Sequence, residues 1–287
     1  MSRCPLLPRL FAAVAFATLL AGCSMTRMLY NQADWLLLEE MDSYLDLRDE
    51  QRERVAGALT ASLQNHRVQQ LPGLATALRE AAVRARRGLT DEDAGWVLDT
   101  GDALMAATAR ELLPVLSSTL AELDAGQRKH LAARLDERNR EYTESHWLDA
   151  PREERLAKRA EVTVDRVKDW IGPLSDQQVA LVTRIRNAMP DSAGTWLAYN
   201  RERQQGLLRL LESGAGAQAV ERYLYGWWVG REGLPQEAAT LRREGTLAGL
   251  KSLLLELDAS LDSVQREYLV DRLEDLAEDA TVLARET

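Results

Sequence analysis

Leu123-Asp124-Ala125-Gly126-Gln127 is the start of a helix written in five residues. The Asp124 carboxylate can accept from the backbone N–H three residues on, while the Gln127 side chain returns a bond to the cap's own N–H, which makes a capping box. The same spacing recurs as Leu47 with Gln51, Leu174 with Gln178 and Leu261 with Gln265, with Ser175 and Asp262 as caps. Arg48 breaks the pattern in the first of the four, and Asp49 is the expected substitute cap there. The four glutamines are 76, 51 and 87 residues apart, far too uneven for a solenoid of fixed period. They read as repeated helix starts.

Working outward from these starts, nearly every segment is rich in Ala, Leu, Arg and Glu, and alternating β-branched runs bounded by turn signals do not occur. A first helix is predicted over 28–45 and a second over 49–71, interrupted at Pro72-Gly73. Thr90 caps a helix that Pro114 should kink or end. Pro151 opens a charged helix that stops at Gly172-Pro173, and Asp262 opens the last. The fold class is all-α: a bundle or array of about nine to ten helices without a sheet.

Before the first helix, Arg3 and Arg9 precede an apolar run from Leu10 to Leu20, then Ala21, Gly22 and Cys23. These are the three parts of an export signal, and the apolar run is shorter than the ~20 residues needed to span a bilayer. Leu20-Ala21-Gly22-Cys23 resembles the lipobox of bacterial lipoproteins. The resemblance implies cleavage between Gly22 and Cys23 and acylation of Cys23, leaving 1–22 as a removed signal peptide and 23–287 as a periplasmic domain. Ser24 at the next position implies an outer-membrane, periplasmic-face location. Two halves meeting near 172–190 are expected within that domain. Cys4 lies in the removed segment, so the mature chain has no thiol for a disulfide or nucleophile. Loss of Arg3 and Arg9 takes the formal charge from -9 to -11, which argues against nucleic acid as a partner.

Two further resemblances rest on short stretches. The Leu-x-x-x-Gln boxes resemble the Leu-Thr-x-x-Gln motifs of small periplasmic chaperones. Tyr30-Asn31-Gln32-Ala33-Asp34-Trp35-Leu36, Ser43-Tyr44-Leu45-Asp46-Leu47 and Trp196-Leu197-Ala198-Tyr199-Asn200-Arg201 resemble a family of uncharacterised proteobacterial helical lipoproteins. That family implies fold and anchoring and contributes no activity.

Signatures of chemistry are missing. None of His66, His130 and His146 stands three residues after a Glu, so the Glu-x-x-His pairs of di-iron bundles do not occur, and no metal site is expected. Gly-x-Ser-x-Gly and Ser-x-x-Lys are absent, and Glu39-Glu40 and Glu153-Glu154 read as solvated helix faces. The expectation is a non-enzyme without cofactor, bound to the membrane through its lipid and acting by binding an envelope protein in an interaction or chaperone-like role. The alternative is an envelope enzyme acting on peptidoglycan or lipid.

Aromatic residues supply the candidate binding surface. Trp35 lies beside Leu36 to Leu38, which favours core packing, with a place at the membrane interface as the alternative. Tyr223, Trp227 and Trp228 on one helix and Trp196 and Tyr199 on the preceding one fill a core or line a groove for a peptide, glycan or lipid tail. The alternating charges of Arg152 to Lys168 read as an exposed helix laced with side-chain pairs, or as the rim of a partner site.

Overall fold

A helix-forming chain with caps at its turns can satisfy its backbone only within helices, and a computed structural model, which describes residues 23–286, shows that outcome. Residues 1–22, on which the expected signal peptide and its cleavage after Gly22 fall, lie outside the described residues. Twelve helices occur among the described residues and no strand, where the sequence suggested nine to ten. The first splits at Gln32 (φ -108°, ψ 10°) into α1 (Cys23–Asn31) and α2 (Ala33–Leu45). Then follow α3 (Asp49–Gln69), α4 (Leu71–Arg87), α5 (Asp91–Ala121) and α6 (Ala125–Ser145). Next come α7 (Arg152–Ile171), α8 (Asp176–Ala188), α9 (Ala193–Glu212) and α10 (Ala217–Trp228). A continuous rod, 236–260, forms α11 as Gln236–Thr240, a π-helical turn Leu241–Leu247 and Ala248–Ser260; α12 (Ser263–Leu283) ends the fold.

The expected interruption near Pro72 occurs, at Gln70 between α3 and α4, and of the two expectations for Pro114 the helix end does not occur. Pro72 sits in the first turn of α4, where its missing N–H has no intrahelical partner to lose, so it opens a helix at Leu71. Pro114 neither ends nor replaces α5, which runs on to Ala121; Ser117 and Ser118 hydroxyls donate to the Pro114 carbonyl downstream of it.

The capping boxes form as read. Asp124 Oδ1 accepts from Gln127 N (2.9 Å), Ser175 Oγ from Gln178 N (3.3 Å) and Asp262 Oδ1 from Gln265 N (2.8 Å). Arg48, not Asp49, occupies the cap position of α3. A guanidinium has no acceptor, so only the return bond exists, from Arg48 N to Gln51 Oε1 (3.0 Å), and the Arg48 side chain instead ion-pairs with Asp124, the cap of α6.

The glutamines also pair with one another across the fold. Gln127 Nε2 donates to Gln51 Oε1 (2.7 Å), and Gln178 and Gln265 exchange amide bonds in both directions (2.8 and 3.0 Å). All four side chains belong to buried residues. The remaining amide hydrogens go to turn carbonyls: Gln127 Nε2 to Asp46 O (2.9 Å) and Gln265 Nε2 to Pro173 O (2.7 Å), each carbonyl five residues before the partner glutamine. The starts of α3 and α6 are thus clamped to each other, as are those of α8 and α12. Residues 172–190 form the turn and helix that carry one arm of the second clamp.

The two clamps are interleaved by what packs on them. Helix α4 lies along α12, while α10 lies along α5 and α9 along α6. The largest core joins α2, α3, α5, α6, α9 and α10 through residues such as Leu113, Leu131, Leu207 and Leu224. Val164, Val182, Ile185, Met189 and Leu253 form a second core, and Ala82, Ala85, Val270 and Leu273 a third. Helix α11 approaches the end of α8 so closely that a Cβ on Gly245 would fall 2.1 Å from Pro190 Cγ, and one on Gly249 2.5 Å from Met189 Cγ. Glycine is required at both.

Helix α1 is docked, not loose. Arg27 pairs with buried Asp279 of α12 (2.6 Å), and Tyr30, 4% exposed, shares a hydrogen bond with His66 Nδ1 (2.8 Å) beside Leu71 and Leu283. Burial lowers the His66 pKa from 6.5 to about 4, so the folded state holds this ring neutral at pH 7. A depressed histidine pKa opposes protonation in the folded state, so its contribution is intact above pH 6.5 and is lost as pH falls toward 4. His66→Gln, which can still bond Tyr30, should lose roughly 2 kcal/mol less than the parent between pH 7 and pH 4.5, as read from urea midpoints. Equal losses in the two proteins would show that His66 does not titrate with folding.

Candidate functional site: an apolar cavity with a basic wall

Between these cores lies a cavity of about 1390 Å³. That exceeds the roughly 300–1,000 Å³ usual for small-molecule pockets. Its walls are helix stripes at three- and four-residue spacing. Helix α4 contributes Leu74, Leu78 and Ala81; α5 contributes Trp96, Thr100 and Leu104; α11 contributes Leu250, Leu254 and Leu257; α12 adds Leu269 and Leu273. Helix α7 turns Arg159, Thr163, Arg166 and Trp170 inward. That stripe gives α7 an inner face on the cavity besides its exposed outer face. Most of the apolar lining residues are half-buried, their outer faces packed and their inner faces turned to the cavity.

Four of the chain's seven tryptophans line this space: Trp96, Trp147, Trp170 and Trp196. Each is held in place from behind or by its backbone. The Arg84 guanidinium lies 4.4 Å from the Trp96 ring centroid and Arg272 5.4 Å from that of Trp170. Arg84 is itself tied to Asp93, whose carboxyl its bonds to Arg87, Thr90 and Arg84 hold well below the usual range. Trp196 meets Tyr199 edge-on at 5.7 Å. Trp147 has φ +51°, a left-handed conformation that costs a bulky aromatic residue energy and that packing must impose.

The charged part of the wall carries three arginines, grouped on α7 and α8, and three carboxylates. Asp191 accepts from both Arg155 Nε and Arg159 (2.7 Å each), and Arg159 also donates to Pro190 O (3.0 Å). Arg186, from the last turn of α8, and Arg166 stand in the same wall. Arg186 makes no ion pair among the described residues; its contact there is with Met189 Sδ at 3.8 Å. Of the carboxylates on the wall, Asp258 is bound by Arg266 (2.8 Å) and by Leu89 N (2.8 Å), Glu141 is paired with Arg138, and Glu144 is exposed.

The expected aromatic surface is divided by the fold. Trp196 reaches the cavity, whereas Tyr199 and Trp227 are buried in the main core at 3% and 6% exposure. Tyr199 donates to Glu232 O (3.2 Å), Tyr223 to Arg203 O (2.8 Å) and Trp227 Nε1 to Asn200 Oδ1 (3.3 Å); Trp228 packs against the same core. These residues fix α10 against α9 and form no open groove together. Trp35 is 55% exposed, against the expectation of core packing, because α2 buries the stripe Ala33, Leu37, Leu38, Met41 and Tyr44 and position 35 falls on the opposite side. Cys23 is the first residue of α1. Sequence reasoning passed over Trp96, Trp147, Trp170 and the three arginines. The visible signal was a stripe of arginines ending in Trp170 on one face of an otherwise polar helix.

Among the described residues no cluster of His, Cys, Asp and Glu could hold a metal ion, and no helix is long and apolar enough to cross a membrane. No curated protein and no solved structure matches the chain. A family model does match, over residues 43–226, a span that includes every tryptophan and arginine of the cavity wall and stops before α11 and α12. That span is well over half of the chain, and the chain belongs to this family, described as a family of unknown function (DUF6279).

Proposed function

We propose that this protein is a non-catalytic binder of an amphiphile, taking the alkyl part of its ligand into the cavity between its cores. The observation that carries the reading is a space of about 1390 Å³ walled by leucines and four tryptophans. Half-buried apolar side chains gain about 25 cal/mol for each Å² removed from water, and a matching alkyl chain would cover many at once. Binding is favoured over turnover because Glu141 and Asp258 on the wall are both engaged by arginines. In this reading Cys23 carries the lipid and the protein sits on the periplasmic face of the outer membrane. The docking of α1 onto α12, through Arg27 and Asp279, would then hold the cavity near the membrane surface and in one orientation.

The tryptophans make the test direct. Titrating the purified full chain, held in amphipol, with a dibrominated C12 alkyl alcohol should quench tryptophan emission saturably, because bromine quenches on contact. Trp96→Phe with Trp170→Phe should remove much of that quenching, and Trp35→Phe, which replaces an exposed ring outside the cavity, should not. Quenching that tracks Trp35 alone would place the chain at the outer surface and overturn the proposal.

A further inference from the structure

We propose that Arg186, together with Arg159 and Arg166, is a headgroup site at the cavity wall, so that the ligand is an anionic amphiphile whose phosphate or carboxylate meets these guanidinium groups. The inference deepens the cavity reading and rests on it. The wall carries three carboxylates, Glu141, Glu144 and Asp258, and three cations, which stand on the adjoining helices α7 and α8. Asp191, the anion beside them, is already shared by Arg155 and Arg159. Arg186 has no carboxylate partner among the described residues. Burial, and then repulsion by Arg159, pushes its pKa down to about 10, which leaves it charged at neutral pH but in an unfavourable place.

A cation in apolar surroundings beside like charges is costly unless an anion joins it. Guanidinium groups offer planar paired donors that match phosphate and carboxylate oxygens, and the resulting charge-assisted bonds are about twice as strong as neutral ones. The arrangement therefore fits a ligand with an oxyanion at one end and an alkyl chain at the other. Arg159 and Arg166 share an inward stripe of α7 with Thr163 and Trp170, so the headgroup and the first part of the chain would meet a single helix face.

The test uses four probes on the full chain in amphipol: dodecyl phosphate, laurate, dodecanol and inorganic phosphate, read by tryptophan emission and calorimetry. Dodecyl phosphate and laurate should bind at least about tenfold more tightly than dodecanol, as expected for one or two charge-assisted bonds. Arg186→Gln should bring the phosphate to the level of the alcohol. Arg166→Gln provides a second variant should Arg186→Gln fold poorly, and it should reduce the same preference. Failure of all three alkyl probes would sink the cavity reading itself. Equal binding of alcohol and anions in the parent, or a preference that survives both substitutions, would sink only the headgroup site. Inorganic phosphate binding as tightly as dodecyl phosphate would identify a free-anion site and overturn the amphiphile.

Discussion

Gln265→Leu should lower stability by roughly 2–3 kcal/mol. Gln265 Oε1 accepts from Asp262 N (3.3 Å) and Gln178 Nε2 (2.8 Å), while its Nε2 donates to Gln178 Oε1 (3.0 Å) and Pro173 O (2.7 Å). Leucine of similar size fills the volume but removes all four bonds; Gln178 keeps Ser175 N (3.0 Å) and Ser260 O (3.1 Å), so the loss is that of the bonds and of the link between the two helix starts, not of several orphaned groups. The matching change Gln127→Leu should act in the same way on α3 and α6. Replacing both Gln178 and Gln265 by leucine should cost clearly less than the sum of the single changes, because each single change already removes the same pair of amide bonds. Urea midpoints for the two singles and the double provide the cycle. Additive losses would mean that the amides do not depend on each other.

Ala81→Trp combined with Thr100→Trp should abolish alkyl binding, by roughly a hundredfold or more, while leaving the denaturant midpoint unchanged or raised. Both positions face the cavity, from α4 and α5, and neither side chain is fully buried. A large ring there occupies space that the proposed chain would enter and covers half-buried leucines from within, so it gains apolar contact without displacing a packed core. The pattern separates this site from the main core, where Leu224 is fully buried and enlargement would be destabilising. Alkyl affinity that persists in the double variant, with the midpoint intact, would place the ligand elsewhere.

Helix starts were legible because a capping box is local chemistry: cap, glutamine and backbone all lie within four residues, and the boxes of Asp124, Ser175 and Asp262 form in full while the Arg48 start keeps only its return bond. Pro114 does not end α5, because a proline's cost can be met by a helix packed on several sides, as α5 is by α3, α10 and α11. Trp35 misled because one residue's neighbours in sequence do not decide which side of α2 meets the core. Among the aromatic residues singled out beforehand, only Trp196 belongs to the cavity, since side chains of equal hydrophobicity fill a core or line a space according to what faces them.

The sequence by itself determined that this chain is all helix and where most of its helices begin, since those properties depend on spacing and on contacts within a turn or two. Only the tertiary structure decided that Gln51 meets Gln127 and Gln178 meets Gln265, that α4 crosses to α12 while α9 and α10 cross to α6 and α5, and that a cavity is left between the cores. Those are contacts between residues separated by 76 positions or more in the two glutamine pairs, and no local preference encodes them. They follow from which apolar faces find each other once the helices have formed, and from the volume that their packing fails to fill.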